Sequence, residues 1–211
     1  MAHEISILTV ESPFGTTIRN GFNHHTPRSD KLLILLPGRG YTVDNPALYH
    51  LLFLGLENGF DVLPVQYGFQ VNQRDLEPAQ MPYLMTDVQA AVAQVLDRGY
   101  REICIVGKSL GTPLAIDLAQ TLTADKISLI LLTPIGPALQ NLPDVPTLAV
   151  IGTADPFYSA QMVESTAAQP QVEWVVLDDL NHGLVIDTDW KTSVRGLYTI
   201  LEHCERFLQR G

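Results

Sequence analysis

Strand-like and helix-like segments alternate along the 211 residues, and the alternation predicts an α/β fold: a mostly parallel sheet entered by an N-terminal antiparallel hairpin, with helices on both faces. Three observations carry this. Short apolar runs without polar alternation recur, as strands buried on both faces require. Segments with apolar residues at helical spacing lie between them. The connections are short, as right-handed crossovers within one sheet require.

Glu4 to Val10 (EISILTV) and Thr16 to Phe22 (TTIRNGF) flank the turn-forming Ser12-Pro13-Phe14-Gly15, which reads as the hairpin. Parallel strands are expected at Leu32 to Leu36, Val62 to Val65, Ile103 to Val106, Ile127 to Leu132, Leu148 to Ile151 and Val172 to Leu177. A helix fits Pro46 to Glu57. The clearest helical period carries Met85, Val88, Val92, Val95 and Leu96, stops before Gly99, and sets Asp87 and Asp97 on the opposite face. Another helix is expected from Ser109 through Leu114, Ile116 and Leu118, and a last one on Val194, Leu197, Leu201, Cys204 and Leu208. Gln66 to Gln80 is polar and aperiodic, which predicts a surface loop beside the site. With no repeat, low-complexity tract or linker, residues 1–211 read as one domain.

Composition narrows the partners. Thirteen Lys and Arg against 23 Asp and Glu give a net charge of −10, with no basic run to neutralise a phosphate backbone, so nucleic acid and anionic membranes are not expected partners. No apolar stretch approaches the ~20 residues that span a bilayer, and no basic segment leads into a leader-like apolar run after Met1. A cytoplasmic protein is expected. Cys104 lies in an apolar run and Cys204 on the stripe of the last helix, so both read as buried thiols rather than a disulfide framework. Nothing in the sequence fixes an oligomeric state.

In such a sheet ligands bind beyond the carboxyl ends of the strands. Directly after Ile103 to Val106 comes Gly107-Lys108-Ser109-Leu110-Gly111, a G-x-S-x-G pattern between strand and helix. That is the setting of a nucleophile elbow: a sharp turn brings backbone too close for side chains two residues either side of the serine and holds its hydroxyl in the crevice. Chance alone supplies about 0.04 such patterns at this content of Gly and Ser. A serine hydroxyl needs a base. Of the six histidines only His182, in Leu180-Asn181-His182-Gly183, follows a strand's carboxyl end; His3 is terminal, His50 and His203 sit within helices, and His24 and His25 fall between the second strand and the first parallel one. The base needs a carboxylate to fix its tautomer. Asp155, in Gly152-Thr153-Ala154-Asp155-Pro156 after Leu148 to Ile151, is on the right edge; Asp178 and Asp179 are rivals close to His182 in sequence.

On these residues the chain resembles the α/β-hydrolase superfamily over nearly its whole length. The order Ser109, Asp155, His182 and the opening hairpin are those of that family. The resemblance implies that Pro37-Gly38-Arg39-Gly40 is the oxyanion loop, although Pro37 stands where relatives often carry histidine, and that the backbone amides of Leu110 and Arg39 hold the oxyanion. Gly38, Gly40, Tyr41 and Lys108 are the candidate substrate contacts, Arg39 and Lys108 as possible attractors of an anionic group. Only Thr133 to Val145 separates two strands where relatives often insert a lid, so no cap is expected and the site should be a shallow, open crevice with little discrimination by chain length.

Gly38-Arg39-Gly40 does not continue as a dinucleotide fingerprint, because Val43 takes the third glycine's place; no Walker lysine pattern or zinc-ligand spacing occurs. No cofactor or metal is implied. The function expected is serine hydrolysis of a small ester, thioester or related acyl compound through an acyl-enzyme. Acyl transfer by the same three residues, or a non-catalytic binding protein of the same fold, are the alternatives.

Overall fold

A computed structural model describes residues 2–210. The hairpin is longer at both ends than the apolar runs suggest: β1 (Ala2–Ser12) pairs antiparallel with β2 (Thr16–Thr26) along its full length. There follow β3 (Lys31–Leu36), α1 (Pro46–Glu57), β4 (Asp61–Pro64), a one-turn α2 (Gly68–Val71), α3 (Met81–Leu96), β5 (Glu102–Lys108), α4 (Gly111–Thr121), β6 (Lys126–Leu132), β7 (Thr147–Gly152), α5 (Ala160–Ala167), β8 (Val172–Leu177) and α6 (Trp190–Leu208). The eight strands form one sheet ordered β1-β2-β4-β3-β5-β6-β7-β8, with β4, β3 and β5 to β8 mutually parallel. Among the described residues no helix is long and apolar enough to cross a membrane.

The apolar runs are double-faced for a simple reason. Successive side chains on a strand point to opposite faces, and here both faces are covered. Leu32, Ile34, Leu36, Ile103 and Ile105 join a core with Leu84 and Val88 of α3 and Leu114 and Ala115 of α4. Leu33, Leu35, Cys104 and Val106 join another with Leu48 and Leu51 of α1 and Ile200 and Cys204 of α6. Both cysteines are free and buried, and burial pushes the Cys104 thiol up to about 12. They pack as small hydrophobes.

β4 and β5 lie on opposite sides of β3, so the direction of strand addition reverses there. The following helices α1 and α4 then leave to opposite faces, and the crevice beyond the ends of β3 and β5 is the switch point where ligands bind in such sheets.

Several expectations are corrected. His24 and His25 lie within β2, where the buried His25 places Nδ1 3.2 Å from Asp61 Oδ1 and its backbone N–H 2.8 Å from the same oxygen. Asp87 is buried, because its Oδ2 accepts the Gly68 N–H at 2.8 Å, and burial raises its carboxyl. The Gln66 to Gln80 segment carries α2 and a 3₁₀ turn at Pro78–Gln80, with Tyr67 and Phe69 in the core. Val194 faces outward on α6. The helix after the elbow starts at Gly111, since Ser109 itself is not helical. α5 was not expected: its only buried residue is Thr166, so it carries no apolar stripe.

Candidate active site

Ser109 follows directly on β5 with φ at +50°, the left-handed region that costs an ordinary residue about 1–2 kcal/mol. The surroundings hold it there. Its N–H donates to Leu132 O at 2.9 Å, and its carbonyl accepts from Thr112 N at 2.8 Å and Thr112 Oγ1 at 2.7 Å. The flanking glycines are sterically required. A Cβ on Gly107 would strike the Gly111 backbone, and one on Gly111 would strike the carbonyl oxygens of Leu36 and Pro37. Backbone cannot swing aside as a side-chain tip can, so the elbow packs on the end of β3 only with glycine at both positions.

His182 reaches this serine from the β8–α6 loop, with Nε2 2.7 Å from Ser109 Oγ. Its Nδ1 lies 2.8 Å from Asp155 Oδ2. Asp155 stands on the turn after β7, 4% exposed, and its Oδ1 accepts the Phe157 N–H at 2.8 Å. An ionised carboxylate only accepts hydrogen bonds. Nδ1 therefore carries the ring proton, and Nε2 is left to accept from the serine hydroxyl. The Phe157 ring packs 5.3 Å from the imidazole. Asp178 and Asp179 are exposed, and neither bonds His182; Asp179 gives its N–H to Thr153 Oγ1 instead. Of the three acids Asp155 alone is brought to the base.

The loop after β3 sits across from the elbow. A Cβ on Gly38 would come within 3.2 Å of Lys108 O and 3.4 Å of Ser109 Cβ, so this glycine lets the two loops approach. Among the described residues the amides of Arg39 and Leu110 have no partner. Gln70, which sequence reasoning missed, orients the first: its Nε2 donates to Gly38 O at 2.8 Å and Arg39 O at 3.3 Å. In a trans peptide C=O and N–H point to opposite sides. Holding the Gly38 carbonyl outward on Gln70 therefore turns the Arg39 N–H the other way. The Gln66 to Gln80 loop does lie beside the site, but only its aperiodicity hinted at a role.

Arg39's guanidinium leans onto that loop, 3.3 Å from Leu76 O and 3.6 Å from Asp75. The guanidinium is thus taken up by that loop, while the Arg39 amide is left without a partner among the described residues. Lys108, expected at a substrate anion, is not free for one: it is buried, with Nζ 2.6 Å from Thr133 Oγ1 and 2.8 Å from His182 O. Tyr41 lies 4.8 Å below that ammonium, its own hydroxyl accepting the Ala47 N–H at 2.9 Å. Gly40 borders the crevice with open space above it.

The crevice at Ser109 has a volume of about 270 Å³ and is walled by the Gly38–Tyr41 loop, Lys108, His182 and Gly183. Among the described residues no cap covers it: between β6 and β7 the chain makes only a 3₁₀ turn at Gly136–Asn141. It is not uniformly shallow. A hollow of about 330 Å³ shares Tyr41 and Gly183 with it and continues along Leu184, Val185, Val194 and Leu197. The sequence does not foretell that apolar wall, because the helical period sets Val194 on the same stripe as Cys204 and Leu208.

Three comparisons bear on the family. Residues 29–208 match the family model of the alpha/beta hydrolase domain. Among curated proteins no match is found. Solved structures share the fold. A protein of unknown function from Agrobacterium tumefaciens aligns with a TM-score of 0.76 at 16% identity, over 97% of this chain and 95% of that one. A serine hydrolase without lid from Xanthomonas campestris gives 0.72 at 18%, over 98% and 94%. The Pyrococcus furiosus esterase gives 0.70 at 16%, over 98% and 92%. With a family match over most of its length, this sheet order and a serine elbow at its switch point, the chain belongs to the α/β-hydrolase family.

Proposed function

We propose that the protein is a serine hydrolase that cleaves small acyl esters or thioesters through an acyl-enzyme. The carrying observation is the unbroken chain from Ser109 Oγ through His182 to the buried Asp155, at 2.7 and 2.8 Å, on a serine held at positive φ. Ser109 attacks the acyl carbon while His182 Nε2 takes its proton. The resulting imidazolium is stabilised by Asp155. The tetrahedral oxyanion accepts from the Leu110 and Arg39 amides, the second aimed by Gln70. His182 then protonates the leaving group, and the same base activates the water that releases the acid. The likeness to the Pyrococcus furiosus esterase and the lidless Xanthomonas campestris serine hydrolase supports this reading. The neighbouring hollow suits a short aliphatic substituent, which an open site can take up without lid movement.

The test is hydrolysis of p-nitrophenyl acetate and of an acyl thioester by the purified protein and by Ser109→Ala and His182→Ala. Each variant should lose nearly all turnover, keeping a residual effect of ~10³-fold over water from the oxyanion hole and binding. Melting temperatures should stay close to the parent. Variants that keep the parental rate would reject the reading.

A further inference from the structure

The residue between the elbow's first glycine and Ser109 is a lysine that the reaction does not use, and it is 1% exposed. Among the described residues no carboxylate lies within ion-pair distance of it. Burying an ammonium without an ion-pair partner is costly unless its protons are satisfied by hydrogen bonds. Two of the three Nζ protons are accounted for. One goes to Thr133 Oγ1 at 2.6 Å, on a buried residue fixed by its own N–H to Val150 O at 2.7 Å. The other goes to the main-chain oxygen of His182 at 2.8 Å. The charge also faces the Tyr41 ring at 4.8 Å, a favourable cation–π distance.

This divides the placing of the base between two groups. Asp155 grips the ring at Nδ1 and sets its tautomer and rotation. Lys108 grips the backbone from which that ring hangs, and it does so from the residue preceding the nucleophile. Resting on the reading of Ser109 as nucleophile, we propose that Lys108 is a positioning residue whose ammonium ties the His182 main chain to the elbow, so that the imidazole stands at Ser109 Oγ before substrate arrives.

A pH signature follows. Burial pulls the Lys108 ammonium down from its ordinary 10.5 to about 8, with the Asp155 charge opposing the shift. The other titratable groups facing it are Tyr41 from the β3–α1 loop and His182 from the β8–α6 loop. Burial pushes Tyr41 upward, which keeps its phenol neutral. A neutral amine still donates, but charge-assisted hydrogen bonds are about twice as strong as neutral ones. The tie therefore slackens as pH rises through about 8. Stability moves the other way. Over the window from about 8 to the ordinary 10.5 the unfolded chain keeps the Lys108 proton that the native protein has released, so this group's contribution to stability increases with pH. Activity that falls while this contribution rises is not the signature of alkaline unfolding.

The experiment measures the rate of Ser109 labelling by a fluorophosphonate, with kcat and KM on p-nitrophenyl acetate, across the neutral and alkaline range. It uses the parent, Lys108→Met and Lys108→Arg. The parent should show an alkaline limb near 8. Lys108→Met replaces the buried charge by an apolar chain of similar reach but leaves Thr133 Oγ1 and the His182 carbonyl without their donor, so it should melt slightly below the parent while staying folded at the assay temperature. It should label and turn over ~10- to 100-fold more slowly, mainly in kcat, because a base displaced by ~1 Å costs about that much. Its limb near 8 should vanish. Lys108→Arg keeps its charge and should recover part of the rate without the limb. Parental rates and a parental profile in Lys108→Met would overturn the proposal. Should Lys108→Met fail to fold, Thr133→Val, which removes one of the two acceptors that hold the ammonium, takes its place, and parental labelling and kcat in that variant overturn the proposal equally. A parent whose Ser109 never labels at any pH removes instead the hydrolase reading itself.

Discussion

Replacing Asp155 by asparagine changes one atom, and the hydrogen bonds around it decide the outcome. Phe157 N–H points at Oδ1 and must be met by an oxygen, so the asparagine carbonyl takes that place. Its NH₂ then occupies the Oδ2 position, 2.8 Å from His182 Nδ1. An NH₂ can only donate there. The ring proton is driven to Nε2, where it faces Ser109 Oγ and can no longer accept the hydroxyl proton. Loss of the base in this manner has cost ~10⁴-fold in a serine protease, which at ~1.36 kcal/mol per decade is about 5.4 kcal/mol of transition-state stabilisation. Packing is unchanged, so the melting temperature should barely move. The assay is kcat/KM on p-nitrophenyl acetate beside Asp178→Asn and Asp179→Asn, which should stay near the parental rate because both residues are exposed and off the relay. A nearly active Asp155→Asn, or a crippled Asp178→Asn or Asp179→Asn, would refute the reasoning.

Two further outcomes follow from the crevice. Gln70→Ala frees the Gly38 carbonyl and lets the Arg39 amide drift; since losing an oxyanion donor outright costs ~10²–10³-fold, misaiming one should lower kcat by roughly ten-fold with KM little changed. Steady-state kinetics with wild-type kcat would count against that role. In a series of acyl or alkyl esters of increasing length, kcat/KM should rise about two-fold per methylene, half the effect of full burial at ~0.8 kcal/mol per CH₂, and level off once the hollow along Val185, Val194 and Leu197 is filled. A flat series would deny the hollow a part in binding, and a jump in rate above the substrate's aggregation limit would point to interfacial activation instead.

The sheet was readable because each parallel strand is apolar on both faces, and the elbow because two glycines and a serine stand between strand and helix. His182 and Asp155 stand out in the sequence because each follows a strand's carboxyl end. What the sequence hid depends on contacts between distant segments. Lys108 reads as a charge open to a substrate anion because nothing near it in the chain shows that Thr133 Oγ1 and His182 O will meet its ammonium. Asp87 falls on a polar position of the helical period, yet the Gly68 amide draws it inside. Gln70 lies in a stretch without periodicity, and its bond to the Gly38 carbonyl exists only once that stretch folds over the loop after β3. His25 looked like a linker residue because Phe22 ends the alternation before the strand itself ends. Local pattern marks the strands and the helices with an apolar stripe, while α5 and the one-turn α2 lack one, and the loops that finish the site are set by tertiary hydrogen bonds.

Reaction of the intact protein with a fluorophosphonate, followed by peptide mass spectrometry, tests the account most directly. The geometry of Ser109 and His182 requires one equivalent of probe on Ser109, on none of the other serines, and almost none on His182→Ala. A folded protein that stays unlabelled, or that carries the probe on another serine, would contradict it.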